Sequence, residues 1–520
     1  MESVVTQDAQ RLGRLWLVPI VVIPCLYYGF LFPSPEYCVY NKNDGAFFLT
    51  QGINLAELGR YTVDTFPVEN HGRHATWPFV FPCMLAAVIS LFGLSWVALK
   101  SFMVSLGLLT LWSLLRLWNR DQLGWWTILI LALNPVYFLF SHHTMTEVPF
   151  LLLCTGTLLV MSATTTLRGA FLSGCLATVA FFTRGYAVAF VPAALVYYVY
   201  RHRSNTTLGA RVLAFTSFAL PLVAGVVSWK LWTDHTISVG PVDQITTEFG
   251  NTASVGKALL AGPTDALQVV YWQHLRALSH LLAPVTSWET IRQFDVAALL
   301  GLGLLLLATV GWLRSARTQL TACDAWFPFA MALFAISGGQ PRYWLTFLPF
   351  TLYYILLALA HTPRGRLIWE IVPKLAIGLL VVLAIVGLGN HLREPSQLRF
   401  LNGYWRDYRD VGTWAREHLP EEAVIVAHTP ANMYIAANRR VLDWTTLVAQ
   451  GLDSLELGPN DALYISCPRP TVSEPSAQPA IAACRQLPRG RLEVVHETVH
   501  HVLLQVSRNS EEPPPGGTVR

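Results

Sequence analysis

The amino-acid sequence predicts an all-α polytopic membrane protein with about eleven transmembrane helices, followed by a small C-terminal α/β domain. Three observations support this fold class. Of the 520 residues, 53% are hydrophobic and only 13% are charged, whereas soluble domains carry about 25% charged residues. Apolar segments long enough to span a membrane recur along most of the chain. After Asn390 the sequence changes to ordinary polarity with strand-like alternation.

These features divide the chain into a transmembrane region, residues 1–389, an extracytoplasmic α/β domain, residues 390–508, and a disordered tail, residues 509–520. Arg11 and Arg14 precede the first span and place the N-terminus in the cytoplasm. The predicted spans are Leu15–Phe32, Trp96–Leu115, Trp125–Phe140, Val148–Ala163, Phe171–Thr183, Ala187–Tyr200, Val212–Trp232, Val296–Leu313, Ala325–Ser337, Tyr343–Ala360 and Leu375–Leu388. An odd number of spans sends the C-terminal domain to the outer face of a plasma (inner) membrane.

The segment Trp77–Phe92 decides this topology, because it is apolar but short and contains Pro78 and Pro82. If it does not cross the membrane, four basic clusters fall on the cytoplasmic side, where loops of membrane proteins carry an excess of lysine and arginine. Those clusters are Arg116/Arg120, Arg201/Arg203/Arg211, Arg314/Arg317 and Arg364/Arg366/Lys374. We therefore predict an interfacial helix within the first outward loop, Pro33–Ser95. A later outward loop contains the amphipathic stretch Ala266–Leu282, which is predicted to lie along the membrane surface.

The C-terminal domain alternates between helical and strand-like patterns. The predicted elements are the helices Tyr404–His418 and Thr429–Asn438, the strands Ala423–Ala427 and Ala462–Cys467, and a hairpin-like or long strand segment, Leu492–Val506. Cys467 and Cys484 lie in this domain on the predicted oxidising side, and the sequence leaves open whether they form a disulfide. The chain has no CxxC pair and no glycine-rich phosphate-binding motif between a strand and a helix. With a net charge of only +4, nucleic-acid binding is not expected either.

Two acidic residues in the predicted outward loops are the catalytic candidates. Asp44 follows Lys42 in the first loop, where an ionised carboxylate can accept a proton from a hydroxyl and act as a general base. Glu147 lies at the outer mouth of a helix pair, where an acid is costly unless it is paired or hydrated. Either residue also suits a helix N-terminus, so capping stays an alternative role. His143 with Glu147 would be the ligands if a divalent metal is used, although adjacent His142 cannot face the same way on a helix.

Three basic residues fall at the outer ends of predicted spans: Lys100, Arg184 and Arg342. The sequence Gly338-Gly339-Gln340-Pro341 precedes Arg342 and predicts a tight loop. From such a loop the planar guanidinium can reach a phosphate through two donors at once. The alternative is snorkelling towards lipid head groups, which fits Lys100 better than Arg342. We take these three residues, with Tyr343 beside Arg342, as candidates for phosphate binding.

The order of these parts resembles a known superfamily. An acidic first loop is followed by a broken apolar segment and then by a span with an Asn-Pro pair, which leads to Thr146-Glu147-Val148-Pro149-Phe150. Two arginine motifs come later: Thr183-Arg184-Gly185-Tyr186, and Arg342-Tyr343 before Leu348-Pro349-Phe350. Over about residues 10–390 this order resembles the GT-C membrane glycosyltransferases. It is most similar to the family of protein O-mannosyltransferases and lipid A aminoarabinose transferases, in which a C-terminal module of this kind also occurs.

The resemblance implies a polyprenyl-phosphate sugar donor, an acceptor lipid, glycan or protein, and inverting transfer at the outer face of the membrane. Asp44 matches the catalytic acid of the first loop, and Glu147 matches the acid of the second. Arg342 matches the basic residue near the donor phosphate, and Arg184 more loosely the arginine after the fifth span. Trp77-Pro78-Phe79 does not reproduce the Lys-Pro motif of aminoarabinose transferases, and neither the sugar nor the acceptor is identified.

Two other functions are compatible with the sequence. A transporter or flippase of lipid-linked sugars would place charges near the bilayer midplane, often in paired repeats. A non-catalytic scaffold would leave the acids and Arg342 separated in space.

Overall fold

The computed structural model describes residues 17–29, 44–59, 61, 78–118, 121–164, 166–201, 207–237, 274–282, 295–335, 341–360, 367–393, 403–427, 430–444, 462–469, 478–487 and 492–506. This part of the chain is mostly helical, with one small sheet near its C-terminal end. It divides into two compact units. The first unit holds the helices between residues 17 and 393 except residues 44–59, which join residues 403–506 in the second unit. The predicted tail lies outside the described residues.

The helices that precede the sheet follow one another along the chain. They are α1 (Leu17–Gly29), α2 (Asp44–Leu58), α3 (Val80–Phe92), α4 (Trp96–Leu117), α5 (Gln122–Leu133), α6 (Pro135–Phe140), α7 (Glu147–Ala163), α8 (Leu167–Phe181), α9 (Phe190–Arg201), α10 (Leu208–Ile237), α11 (residues 274–282), α12 (Asp295–Thr318), α13 (Ala322–Ala335), α14 (Pro341–Trp344), α15 (Leu348–Ala360), α16 (Leu367–Arg393) and α17 (Gly403–His418). A short 3-10 helix, Gly185–Ala189, leads into α9.

Three helices are long and apolar enough to cross a membrane, judged by length and composition: Trp96–Leu117, Leu208–Trp232 and Val296–Thr318. The latter two expose many leucine and valine side chains, such as Leu220 (61% exposed) and Leu306 (58% exposed). Surfaces of this kind are stable against lipid rather than water. The remaining apolar helices within the described residues are 10–17 residues long, so the predicted number of about eleven spans is not confirmed.

Glycines let neighbouring helices of the first unit approach closely. A Cβ atom at Gly174 of α8 would collide with the backbone carbonyl of Phe218 in α10. A Cβ atom at Gly311 of α12 would collide in the same way with the carbonyl of Tyr354 in α15. Because apolar association between helices is weak in lipid, close packing through small residues supplies much of the attraction.

The predicted span Trp125–Phe140 is broken into α5 and α6. Pro135 cannot donate the hydrogen bond that would continue α5, and it suits the first turn of a new helix. Asn134 caps that helix: its side-chain oxygen accepts hydrogen bonds from the backbone N–H groups of Val136 and Tyr137 at 3.0 and 3.2 Å. The break is therefore a consequence of the Asn-Pro pair, which the sequence prediction treated as part of one span.

Two segments predicted to be interfacial are helical where they are described. The first, Trp77–Phe92, contains α3; the preceding Phe79 packs on Phe182, with ring centroids 4.8 Å apart. Of the second, Ala266–Leu282, residues 274–282 form α11 and the others lie outside the described residues. The α11 leucines are buried, and Asn134 Nδ2 donates a hydrogen bond of 2.6 Å to the carbonyl of Leu281. The position of either helix relative to a membrane stays a prediction.

The second unit contains the α/β domain. After α17 its elements are β1 (Val424–Ala427), α18 (Pro430–Ala437), β2 (Arg440–Asp443), β3 (Leu463–Pro468), α19 (Gln478–Gln486), β4 (Leu492–Glu497) and β5 (His501–Val506). The sheet order is β2-β1-β3-β5-β4, parallel among the first three strands and antiparallel among the last three. The sequence prediction missed β2 and α19, which are short. The structure contains the disulfide between Cys467 and Cys484, whose Cα atoms lie 6.0 Å apart.

Candidate active site

Glu147 and Arg184 form a buried ion pair in the first unit. Glu147 is the first residue of α7, where the helix dipole attracts negative charge. Arg184 precedes the 3-10 helix Gly185–Ala189. Its Nη1 atom lies 3.1 Å from Glu147 Oε1, and the two side chains are 6% and 0% exposed, respectively. Removal of either partner would leave a buried charge uncompensated and would destabilise the fold.

Two guanidinium groups lie close to the Tyr343 ring. The Cζ atom of Arg184 is 5.1 Å from the centre of the Tyr343 ring, and the Cζ atom of Arg342 is 4.8 Å from it. Arg342 Nη2 also donates a hydrogen bond of 2.9 Å to the Tyr343 hydroxyl. A cation over an aromatic face is attracted by the ring quadrupole. The residues Glu147, Arg184, Tyr343 and Arg342, here called the arginine cluster, therefore come together from three separate parts of the chain.

A break in the chain sets the position of Arg342 and Tyr343. The predicted span Tyr343–Ala360 is divided into the one-turn helix α14 and the longer α15. Between them the backbone N–H of Leu345 donates to the Arg342 carbonyl at 3.2 Å. This turn separates the two site residues from the apolar helix. Both side chains are half-buried, so a ligand can reach them, whereas Glu147 and Arg184 are buried.

With ordinary charges, the arginine cluster carries two positive charges and one negative charge. Such a group suits one anionic ligand, because a guanidinium donates two parallel hydrogen bonds to a phosphate or carboxylate. The ion pair with Glu147 fixes Arg184 against the Tyr343 ring. The arrangement can therefore bind an anion beside Arg342 and stabilise charge that develops on it.

The other basic and histidine candidates are buried. Lys100 of α4 is 3% exposed, and α4 packs against α7. His142 is held by two backbone carbonyls, with Nδ1 2.7 Å from Phe138 O and Nε2 3.0 Å from Tyr27 O, which is a structural role. His143 is 3% exposed. Among the described residues no group of three or more His, Cys, Asp or Glu could hold a metal ion, and the assignment of His143 and Glu147 to a metal stays a prediction.

Asp44 is the first residue of α2, in the second unit. Its side chain lies outside the described part of the structure, so its role as a general base stays a prediction. Its alternative role as a helix cap stays a prediction for the same reason.

Several aromatic residues beside the arginine cluster were not singled out in the sequence. The Cζ atom of Arg184 lies 5.8 Å from the ring centre of Tyr186. The Phe334 ring contacts the rings of Tyr186, Trp344 and His274, at 6.4, 5.0 and 4.7 Å between centroids. The only local signal was a tyrosine that closely follows each arginine, in Arg184-Gly185-Tyr186 and in Arg342-Tyr343. The sequence prediction had assigned aromatic residues as a group to helix packing and to the membrane interface.

The sequence matches no protein-family model and no curated protein. Among solved structures, the chain is similar to ArnT from Cupriavidus metallidurans bound to undecaprenyl phosphate, at 12% identity and a TM-score of 0.59, over 94% of this chain and 98% of that chain. It is also similar to the archaeal oligosaccharyltransferase AglB from Archaeoglobus fulgidus in complex with an inhibitory peptide and a dolichol-phosphate. For AglB the identity is 12% and the TM-score 0.49, over 82% of this chain and 64% of that chain.

ArnT is an aminoarabinose transferase and a member of the GT-C superfamily. The alignment with ArnT extends over almost the whole of both chains. At this low identity the likeness concerns the fold. The chain therefore shares the fold of this ArnT structure, which agrees with the fold expected from its sequence resemblance.

Proposed function

We propose that the protein is an integral membrane glycosyltransferase that moves a sugar from a polyprenyl-phosphate donor to an acceptor hydroxyl at the outer face of the membrane. The observation that carries the proposal is the convergence of Arg184 and Arg342 on the Tyr343 ring. Two guanidinium groups beside a half-buried aromatic residue suit the phosphate of such a donor. The similarity in fold to a structure of ArnT that contains undecaprenyl phosphate supports the same class of donor.

The proposed reaction is a single inverting displacement. The acceptor oxygen forms a bond to the anomeric carbon of the sugar while the bond from that carbon to the phosphate oxygen breaks. The proton of the acceptor hydroxyl passes to the Asp44 carboxylate, and the polyprenyl phosphate leaves with the bonding electron pair. Arg342 and Tyr343 stabilise the negative charge that develops on the phosphate, and Arg184, with Lys100, adds positive charge around it.

In this scheme Glu147 holds Arg184 in place. It also positions either the acceptor or a divalent metal ion. The metal role assigned to His143 and Glu147 is tested by measuring transfer before and after chelation. Transfer that persists unchanged in excess chelator would remove it.

The donor-binding part is tested with purified protein in detergent and undecaprenyl phosphate as the probe. Arg342→Gln should weaken binding about 10- to 100-fold, because it removes charged hydrogen bonds worth about 1.5–3 kcal/mol. The affinity of Arg342→Lys should lie between those of Arg342→Gln and the wild type, since lysine keeps the positive charge but lacks the two parallel donors of the guanidinium group. Arg314→Gln is the matched control: its side chain bonds the Ala358 carbonyl instead. Equal affinities for the wild type and Arg342→Gln would contradict the phosphate site.

The catalytic part is tested with a panel of undecaprenyl-phosphate sugars and a membrane extract as the acceptor. The wild type should form a covalent product with at least one donor. Asp44→Asn should lower the turnover number by about 10²- to 10⁴-fold, as expected for loss of a general base, with undecaprenyl phosphate affinity unchanged. Full activity of Asp44→Asn would remove Asp44 from the mechanism. Sugar counterflow across proteoliposomes without any product would favour the flippase instead.

A further inference from the structure

Helix α2 belongs to the first outward loop of the predicted topology, yet it is part of the same compact unit as the C-terminal domain. Its packing partner there is α18, Pro430–Ala437. An isolated helix of 15 residues is only marginally stable in water, and most such helices depend on tertiary packing. α2 therefore depends on a partner that comes from the opposite end of the chain.

Tyr434 of α18 lies within electrostatic range of α2. Burial raises the pKa of the Tyr434 phenol in α18, and the negative charge of Glu57, in the last turn of α2, raises it further. The Glu57 carboxylate therefore lies within electrostatic range of the Tyr434 hydroxyl. Tyr434 is partly buried and packs on the hydrophobic core of the domain, so one residue contacts the core and also lies close to α2.

The opposite side of α18 is held firmly by the domain. Met433 and Ala437 are fully buried in its core. Gly412 of α17 faces α18 at very close range: a Cβ atom there would lie 2.5 Å from the Ala436 Cβ atom and 3.3 Å from the Met433 sulfur. Such contacts leave no room between the two helices, so α18 cannot shift towards α17. The position of α18 is thus set by the domain core.

From this arrangement we infer that the C-terminal domain positions α2, and with it Asp44 at the start of that helix, through α18, with Tyr434 as the positioning residue. The inference depends on the proposed role of Asp44 as the base. A general base must lie within hydrogen-bond reach of the proton that it accepts, and a misplacement of about 1 Å can cost about 10²-fold in rate. The domain then sets the turnover number, while donor binding depends on the arginine cluster of the first unit.

Two variants of the full-length protein perturb this contact in different ways. Tyr434→Ala removes the α18 side chain that packs on the domain core and lies within electrostatic range of Glu57 in α2. Gly412→Ala leaves the α18 surface intact but displaces the helix from α17. Tyr434→Phe is the conservative variant, since it keeps the ring. Ile481→Ala is the matched control, because Ile481 is buried in the same core but lies on α19, which packs against β3.

The measurements are amide hydrogen exchange of residues 44–58, turnover with the undecaprenyl-phosphate sugar that the wild type uses, and affinity for undecaprenyl phosphate alone. Tyr434→Ala and Gly412→Ala should speed exchange in α2 about tenfold or more and lower turnover about 10- to 100-fold. Donor-lipid affinity should stay within twofold of the wild type, and Tyr434→Phe should recover most of the turnover. Ile481→Ala should leave exchange in α2 and turnover near the wild-type values.

Unchanged exchange in α2 in both variants would overturn the positioning role, and so would fast exchange with unchanged turnover. A loss of turnover in Ile481→Ala equal to that in Tyr434→Ala would reduce the effect to general stability of the domain, which also overturns it. Failure of the proposed function gives a different result: Asp44→Asn would stay active, or undecaprenyl phosphate would not bind to the wild type.

Discussion

Glu147 lies at the start of a helix, where its sequence pattern predicts a cap, and it forms a buried ion pair with Arg184. Glu147 starts α7, and Thr146 before it makes no side-chain capping hydrogen bond; the Glu147 carboxylate instead lies 3.1 Å from the Arg184 guanidinium and is fully buried. Burying an ion pair gains little over an apolar pair, whereas breaking one is costly. The two residues should therefore be strongly coupled in stability.

We expect Glu147→Gln to lower the thermal stability of the purified protein markedly, because it leaves the Arg184 charge buried without its counter-charge, at a cost of about 3–5 kcal/mol. Arg184→Gln should be destabilising for the same reason. The double variant Glu147→Gln/Arg184→Gln should lose clearly less than the sum of the single losses. Thermal unfolding of the four proteins in one detergent measures this coupling, and additive losses would show that the pair is not coupled.

A second residue-scale prediction concerns Asp407 in the C-terminal domain. Burial alone would raise the pKa of this carboxyl group, but hydrogen bonds from the His500 backbone N–H and imidazole outweigh it, so the pKa is lowered from its ordinary value of 3.8. The unfolded chain then takes up the proton at a higher pH than the folded protein does. The stabilisation that the ionised Asp407 carboxylate gives to the folded protein is therefore present above pH 3.8. It is lost as the pH falls through the lower pKa of Asp407 in the folded protein.

Asp407→Asn should therefore reduce the loss of stability on acidification below about pH 5. The comparison is made by denaturant unfolding of the wild type and the variant at pH 6 and at successively lower pH. Asp410→Asn is a suitable control, because Asp410 is exposed and lies on the same helix. An identical pH dependence of the wild type and Asp407→Asn would contradict the prediction.

At the scale of secondary-structure elements, Asn134 connects three helices. Its side-chain oxygen caps α6, immediately after the end of α5, and its amide nitrogen donates to the Leu281 carbonyl at 2.6 Å, which ties down α11. Because Asn134 is buried, water cannot easily replace these bonds. His274, at the other end of α11, packs against Phe334 and Trp344 beside the arginine cluster.

We expect Asn134→Ala to destabilise the first unit by about 1–3 kcal/mol, because it removes a helix cap and a buried hydrogen bond. Asn134→Asp keeps the capping oxygen but cannot donate to Leu281, so it separates the two contributions. In both variants amide exchange in residues 274–282 should be faster than in the wild type. If Asn134→Asp leaves that exchange unchanged, the bond to Leu281 does not hold α11.

For the molecule as a whole, the apolar exposed faces of α10 and α12 indicate a lipid environment, and the arginine positions predict the orientation in it. Thr318, at the end of α12, should lie on the cytoplasmic side, whereas Glu421, in the C-terminal domain, should lie outside. Both residues are exposed, so a cysteine at either position can react once the reagent reaches its side.

This orientation is tested with cysteines introduced one at a time in a background in which Cys25, Cys38, Cys83 and Cys175 are replaced by serine, which leaves the buried Cys154 and Cys323 and the disulfide-bonded Cys467 and Cys484. In intact cells a membrane-impermeant maleimide should label Glu421→Cys and not Thr318→Cys. After the membrane is permeabilised, both positions should react. Labelling of Thr318→Cys alone in intact cells would invert the predicted topology.

Properties that depend on neighbouring residues could be predicted from the sequence. Apolar segments such as Trp96–Leu115 identified α4 to within a few residues of its observed end, and strand-like alternation identified β3 and the β4–β5 pair. Helices and strands of this kind follow from side-chain periodicity and from hydrogen bonding within the segment. Glu147, Arg184, Arg342 and Tyr343 were also chosen from local motifs. Their mutual distances were not predictable, because those distances depend on how separate segments pack.

The tertiary structure alone decided three further points. It brought the Arg184 guanidinium to the ring of Tyr343 beside Arg342, made Glu147 the partner of Arg184, and put α2 in one unit with the C-terminal domain. Contacts of this kind join residues far apart in the chain, so their energy depends on complementary shapes and charges that no single segment contains. The sequence by itself determined which segments avoid water and which become helices or strands. Packing determined which of their charged side chains meet, and therefore where the site lies.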